Sequence, residues 1–176
     1  MKNILTLLFL GFGLIATAQE TYSLSDESSL TVDGTSTLHD WTVTANTMSG
    51  TAKAEGSAPK EIDFEVVVAD IISERGATMD KKMHDALKKE DYPKVFFKLT
   101  EVKDQSTVVG TLNIAGQEKT VEIPVKIDLS EGSLKFMGEQ KITLQDYGME
   151  PPTAMFGSIV VGDDVTVKFD LVFVKS

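Results

Sequence analysis

The chain of 176 residues carries 17 lysine and arginine residues against 27 aspartate and glutamate residues, which gives a formal net charge of −10. This acidic balance argues against nucleic acids and anionic lipid surfaces as electrostatic partners. The chain contains no cysteine, so thiol catalysis, disulfide exchange and cysteine-based metal sites are excluded, and strand pairing and apolar burial must supply the stability.

The N-terminus has the three parts of a secretory signal peptide. Lys2 supplies a positive charge, Ile4–Ile15 is an apolar run, and Ala16-Thr17-Ala18 has the small-x-small form of a cleavage site. The apolar run is too short for a membrane-spanning helix, and a buried N-terminal helix of the domain is the alternative interpretation. We therefore expect an exported protein, periplasmic or secreted, with a cleaved signal peptide (1–18), one mature domain (19–176) and no stable membrane insertion.

Alternation of apolar and polar residues dominates the rest of the chain and predicts strands with one wet and one dry face. Turn residues at 115–117, 130–132 and 162–164 separate several of these strands. In chain order, strands are predicted at 30–35, 38–45, 48–54, 62–68, 95–102, 108–114, 121–129, 134–144 and 165–173.

About eight short strands indicate either a β-sandwich or a β-barrel. Gly34, Gly50, Gly110 and Gly138 lie inside or beside the predicted strands, and interior glycines are typical of bulges and tight bends in a curled sheet. The sequence therefore predicts an all-β fold, an antiparallel eight-stranded barrel.

One segment, Met79–Glu90, has helical rather than strand periodicity. Its residues Met79, Met83, Ala86 and Leu87 form a single apolar stripe, and the residue before Pro93 disfavours continuation of the helix. The helix is predicted either to cap the barrel structurally or to serve as a lid that also touches a ligand.

Two further segments allow a structural and a functional interpretation. His39 and Trp41 share one strand face, so His39 is either a core histidine with a satisfied hydrogen bond or a contact to a ligand head group beside an apolar Trp41 wall. The segment 145–164 is rich in methionine, which adapts to irregular apolar shapes. It either folds over the barrel end or forms a mouth that grips an apolar chain.

Enzymatic and metal chemistry have little support in the sequence. The chain has only two histidines, too few for a zinc site without cysteine. It lacks the HExxH motif, the EF-hand, the Gly-x-Ser-x-Gly elbow and a Gly-rich phosphate loop. We predict no enzyme, no metal and no cofactor.

Several short motifs lie in a characteristic order along these elements. In chain order they are Gly34, His39 and Trp41; Asp70-Ile71-Ile72-Ser73; Met83, His84 and Leu87; Tyr92-Pro93 and Phe97; Gly110, Leu112, Ile114 and Gly116; and Asp146 to Pro152.

This order resembles the YceI-like family of exported proteins over nearly all of the mature chain. The most specific part is the helix with Tyr92-Pro93 and Phe97, followed by the glycine hairpin. The resemblance implies a lipocalin-like barrel with one short capping helix. Such a barrel is expected to bind polyisoprenoid chains, isoprenoid quinones or fatty-acid-like amphiphiles.

We therefore predict a carrier that holds a long apolar chain in a tunnel. The main alternative is a filled barrel that acts as an interaction protein through its loops or outer surface; a hydrolase is a third. The oligomeric state stays open, a homodimer included. The residues predicted to bind the ligand are His39, Trp41, Phe64, Met83, His84, Leu87, Phe97, Leu112, Phe136, Gly138, Tyr147, Met149, Phe156 and Phe169.

Overall fold

A computed structural model describes residues 19–56, 58–130 and 132–176, so the predicted signal peptide lies outside the described residues. In the described part of the chain, no helix is long and apolar enough to cross a membrane. The elements, in chain order, are β1 (Gln19–Leu24), β2 (Ser29–Ser36), β3 (Trp41–Ala45), β4 (Met48–Glu55), β5 (Ala58–Val67), β6 (Ile71–Ser73), α1 (Ala77–Ala86), β7 (Lys94–Lys103), β8 (Thr107–Ile114), β9 (Gln117–Ser130), β10 (Ser133–Thr143), β11 (Thr153–Ala154) and β12 (Ile159–Lys175).

The sheet closes on itself because β12 pairs with β10 along one edge and with β1 and β2 along the other. Three pairs of consecutive strands (β1 with β2, β3 with β4, β5 with β6) each run as one interrupted strand. Together with β7, β8, β9, β10 and β12 they form a closed antiparallel barrel of eight strands. The predicted fold class is therefore confirmed.

The two ends of the barrel differ in how the chain crosses them. The connections 37–40, 74–93, 115–116 and 144–158 all lie at one end, which we call the helix end because α1 belongs to it. The short turns β4–β5, β7–β8 and β9–β10 lie at the other, which we call the closed end.

Large side chains fill the closed end. Phe173 and Leu134 are both 0 % exposed, and the Phe173 ring packs edge-on against Phe136 with 6.0 Å between the ring centroids. Facing them, β4 contributes the small residues Gly50, Ala52 and Ala54, of which Ala52 and Ala54 are buried. Bulky side chains on β10 and β12 opposite small ones on β4 interdigitate at native packing density, so this end holds the core of the barrel.

The helix is shorter than its sequence pattern predicts. It spans Ala77–Ala86 rather than Met79–Glu90. Lys88 adopts a left-handed backbone conformation with φ of 53°, and the amides of Asp91 and Tyr92 donate to its carbonyl oxygen. Residues 87–91 therefore form turns, because the chain must reverse direction to begin β7 at Lys94.

The predicted turn at 162–164 is wrong, because β12 begins at Ile159 and passes through it with a bulge between Val161 and Val165. Asp163 Oδ1 accepts a hydrogen bond from the Gln145 amide at 3.0 Å, and Asp164 Oδ1 accepts one from Thr143 Oγ1 at 2.8 Å. The two carboxylates bind the connection after β10 instead of forming a turn, so the segment predicted as a loop is shorter at its C-terminal end.

The first strand of the barrel was missed, and β3 is shorter than predicted. β1 pairs with β4 and β12 but fully buries only Tyr22, so its alternation is weak. Residues 37–40 form a turn instead of the start of β3, since Ser36 Oγ donates to the His39 carbonyl at 2.7 Å and the Ser36 amide donates to the same oxygen.

Candidate ligand-binding site

A cavity of about 440 Å³ occupies the barrel interior above the packed closed end. This volume lies within the range of about 300–1,000 Å³ that is typical of small-molecule pockets. Its lining is overwhelmingly apolar and draws on every long strand of the barrel except β1 and β4. The wall residues include Leu30, Val32, Val43, Ile62, Phe64, Val66, Phe97, Val108, Leu112, Ile114, Ile123, Val125, Ile142, Val165, Val167 and Phe169, and Phe136, Leu171 and Phe173 form the floor.

Glycines opposite aromatic rings shape the wall. Gly34 is paired directly with Trp41 across β2 and β3, and a Cβ atom on Gly34 would overlap the indole ring. The Trp41 ring is held in place by a hydrogen bond from Nε1 to the Thr35 carbonyl at 2.9 Å. The indole therefore lies flat along the wall and faces the cavity.

Two of the sequence motifs also pack through a glycine opposite an aromatic ring. The Phe97 ring occupies the space above Gly110, and the Tyr92 ring occupies the space above Gly116. A side chain at either glycine would displace a ring, so the Tyr-Pro–Phe block and the glycine hairpin form one packing unit. This unit fixes the start of β7 against β8 at the helix end of the barrel.

Helix α1 lies over the helix end, and its apolar stripe faces the cavity. Met79, Met83, Ala86 and Leu87 all line the cavity, and no residue of α1 is fully buried. A helix packed on a solid core would bury part of that stripe completely. This helix covers an opening instead.

Polar contacts anchor the helix to the barrel rim. Asp80 Oδ1 accepts hydrogen bonds from the Ser73 amide at 2.8 Å and from Ser73 Oγ at 2.9 Å. His84 Nε2 lies 2.9 Å from the Ile71 carbonyl oxygen, which can only accept, so Nε2 is the donor. On the other side of the helix, Lys82 Nζ donates to the Thr153 carbonyl at 2.7 Å. These bonds tie α1 to β6 and β11.

Most of the polar groups that line the cavity collect at this rim. They are Ser36, His39, Ser73, Arg75, Lys82 and Thr153, whereas Gln140 lies on a wall strand. Arg75 and Lys82 are the only charged residues among the lining side chains of the described part of the chain. The site is therefore an apolar tube with a mouth that carries positive charge.

The structure places most of the predicted ligand-binding residues around this cavity. His39, Trp41, Phe64, Met83, Leu87, Phe97, Leu112, Phe136, Met149 and Phe169 line it, whereas His84, Gly138, Tyr147 and Phe156 do not.

The structure shows why each of these four residues does not line the cavity. His84 anchors α1 to Ile71. Gly138 is covered from within by Phe169, and its Cβ would lie 2.9 Å from that ring and 2.6 Å from the Pro124 carbonyl oxygen. Tyr147 is buried beside the cavity, where burial and then the Asp146 carboxylate raise the pKa of its hydroxyl. Phe156 points into solvent.

Sequence reasoning missed Arg75 and Lys82 at the mouth. Arg75 lies between β6 and α1. It is the only arginine of the chain, and this singularity is a sequence signal that could have identified it. Lys82 lies among several lysines on and after α1, and nothing in its spacing separates it from them.

We expect Met83→Asp to lower the free energy of unfolding by about 1–3 kcal/mol, because it places an unpartnered carboxylate against an apolar lining. Urea denaturation measures the change. Thr78→Asp, an exposed position in the first turn of α1, is the matched control and should be neutral or slightly stabilising there. An unchanged midpoint for Met83→Asp would show that the helix does not rest on the barrel.

Comparison with known proteins supplies a family match and several fold neighbours. The model of the YceI-like domain matches residues 21–173. BcnA of Burkholderia cenocepacia has a similar structure, with 20 % identity, a TM-score of 0.68 and coverage of 83 % of this chain and 96 % of that chain. A search of curated proteins returned no match.

Two further solved structures share the fold. A polyisoprenoid binding domain from Saccharophagus degradans, implicated in plant cell wall breakdown, has 17 % identity, a TM-score of 0.70 and coverage of 88 % and 98 %. The YCEI protein of Campylobacter jejuni has 18 % identity, a TM-score of 0.61 and coverage of 100 % and 99 %. At these identities the likeness shows the fold.

Proposed function

Since this chain belongs to the YceI-like domain family, we propose that it is an exported binding protein that carries the apolar chain of a long amphiphile inside its barrel. The observation that carries the proposal is the cavity of about 440 Å³, apolar along its length and polar at one mouth. A solved relative of the same fold is described as a polyisoprenoid binding domain, which supports the same ligand class.

The physical task is to keep a long apolar chain out of water. Each CH₂ group removed from water contributes about 0.8 kcal/mol, so a polyisoprenoid, an isoprenoid quinone or a fatty acid gains more from the cavity as its chain lengthens. The head group needs only one or two polar partners. His39, Arg75 and Lys82 at the mouth are the candidates.

The cavity also bears on the main alternative, an interaction protein with a filled barrel. Side chains fill the closed end, where Phe173 and Leu134 are fully buried. Above them the inward faces of the strands surround open space. Carriage uses that space, whereas an interaction protein has no use for it. The role proposed is binding, with no chemical step.

Titration of delipidated protein tests the proposal. Palmitate and an isoprenoid quinone should raise the melting temperature and change the fluorescence of Trp41, the only tryptophan, because a ligand that binds only the folded state stabilises it by mass action. Octanoate should do so far less, since it buries fewer CH₂ groups. If no chain length shifts either signal and no lipid co-purifies, carriage is wrong.

The positive charges of Arg75 and Lys82 at the mouth predict a preference for a ligand with an anionic head group. We expect Arg75→Gln to weaken palmitate binding about three- to tenfold, a range that reflects a charge pair close to solvent, and to leave binding of hexadecanol unchanged. Lys81→Gln removes a cation of the same helix end that does not line the cavity and serves as control. Equal losses for acid and alcohol would show that Arg75 does not contact the head group.

A further inference from the structure

The hairpin formed by β11 and the start of β12 presents two large apolar side chains to water. Met155 is 70 % exposed and Phe156 is 112 % exposed. The exposure of Phe156 exceeds that of an extended reference chain, so its ring packs against nothing in the described part of the protein. Phenylalanine and methionine are among the residue types most often buried in folded proteins.

The backbone holds both residues in this position at a cost. Met155 and Phe156 have φ angles of 52° and 57°, the left-handed region that residues other than glycine, asparagine and aspartate rarely adopt. Strain of this kind is retained where a conformation serves a purpose. Here it turns an aromatic ring outward although no contact among the described residues stabilises that arrangement.

A second loop lies against the hairpin and adds a third exposed apolar residue. The Thr37 amide donates to the Val160 carbonyl at 3.0 Å, and Thr37 Oγ1 bonds to the carbonyl of Ser158 and the amide of Val160. The next residue, Leu38, is 65 % exposed. Leu38, Met155 and Phe156 thus lie on two adjoining loops that hydrogen bonds join, and we call this set of exposed residues the apolar tip.

The two segments that carry the apolar tip contain no charged residue, although a quarter of the residues of this chain are charged. Charged groups flank them: Lys82, whose Nζ donates to the Thr153 carbonyl, and the exposed Asp40 and Glu150. The segment 151–162, which carries the hairpin, contains no acidic or basic residue, and neither does the segment 34–38. The apolar tip itself therefore offers a partner no charged group to pair with, and the flanking charges are of both signs.

The apolar tip is continuous with the mouth of the cavity. Thr153, Ala154 and Ile159 on the same hairpin, and Ser36 and His39 on either side of Leu38, line the cavity. An apolar chain that moves between the cavity and an apolar phase in contact with the tip would not have to cross water.

We propose that the apolar tip docks the mouth of the barrel onto the surface of an electrically neutral lipid bilayer, where it loads or releases its ligand. This inference rests on the proposed function for its purpose, but the docking surface itself does not require a bound ligand. Phenylalanine, methionine and leucine side chains insert among lipid acyl chains and head groups. The attachment is apolar rather than electrostatic, in keeping with the acidic chain.

Flotation of the purified mature protein with phosphatidylcholine vesicles tests the docking. We expect partition into neutral vesicles that does not weaken at high salt, since salt screens only charge interactions. Phe156→Asn should reduce the partition coefficient about tenfold or more, the change expected when one large apolar side chain no longer leaves water. Asparagine tolerates the left-handed backbone, so this variant should fold. Val174→Thr, at an exposed position of the closed end, should partition like the wild type.

Palmitate binding from solution, followed through Trp41, is measured in parallel. Unchanged binding by Phe156→Asn together with its lost flotation supports the docking surface. Flotation that depends on Phe156 without any palmitate binding would support the docking surface and refute carriage. The docking proposal is overturned if the wild type stays unbound, if Phe156→Asn floats equally well, if binding requires anionic lipid and low salt, or if sedimentation shows a Phe156-dependent dimer that buries the tip.

Discussion

Replacing Val167 with phenylalanine should weaken ligand binding about a hundredfold and leave the fold intact. Val167 lies on β12 between Gln140 of β10 and Val32 of β2, and its side chain lines the cavity. It is only partly buried, because one side of it faces open space. A phenyl ring there occupies volume that the ligand needs. Displacing about four CH₂ groups of a bound chain costs about 3 kcal/mol, or about a hundredfold in affinity.

The matched control is Thr166→Phe, which adds the same ring to the outer face of the same strand, since successive side chains alternate across a strand. Titration with palmitate should show wild-type affinity for Thr166→Phe and an affinity about a hundredfold lower for Val167→Phe. The melting temperature of the empty Val167→Phe protein should be unchanged or raised. Wild-type affinity in Val167→Phe would place the ligand outside the cavity and end the carrier proposal. Gly138 is a poor position for such a plug, because its Cβ would meet the Pro124 backbone at 2.6 Å.

The largest loss of stability is expected at the closed end. Phe173→Ala should lower the free energy of unfolding by about 3–5 kcal/mol, the range for a buried phenylalanine truncated to alanine. Phe173 is 0 % exposed, and its ring contacts Phe136 edge-on. Since the stability of a domain is about 5–15 kcal/mol, this single truncation should remove between about a fifth and all of it.

Urea denaturation of Phe173→Ala and of Val174→Ala gives the comparison. Val174 is the next residue on β12, faces outward and is 42 % exposed, so its truncation should cost no more than about 1 kcal/mol. A loss below about 1 kcal/mol at Phe173 would mean that the closed end is not the packed core of the barrel. Similar denaturant slopes for the two variants would show that the comparison concerns stability alone.

The sequence predicts the strands well because strict alternation decides which side chains face inward. The inward residues of 62–68, 108–114 and 134–144 are those that line the cavity or the core. The prediction of turns fails where side chains form hydrogen bonds with residues far away in the sequence. Asp163 and Asp164 are typical turn residues, yet in the barrel they bind Gln145 and Thr143 and the strand continues.

The ligand-binding residues predicted on the strands rest on the same alternation, and the absence of two predicted residues from the cavity lining has local causes. Gly138 faces inward as predicted, but Phe169 from the neighbouring strand covers it. Phe156 was assigned to a gripping mouth because it is apolar, whereas its left-handed backbone turns the ring outward. Neither the cross-strand partner nor the backbone conformation of a non-glycine residue can be read from the local pattern.

The sequence by itself determined that this chain is an acidic, cysteine-free β-protein with one helix and a set of inward apolar side chains, because those properties depend on composition and on periodicity within each strand. Only the tertiary structure decided that the closed end is filled and the helix end is hollow. That difference depends on which residues face one another across the barrel. Phe173 and Leu134 pack against the small residues of β4, whereas the aliphatic and aromatic side chains beneath α1 surround open space. These contacts join residues that are far apart in the chain, and they depend on the register in which the strands pair.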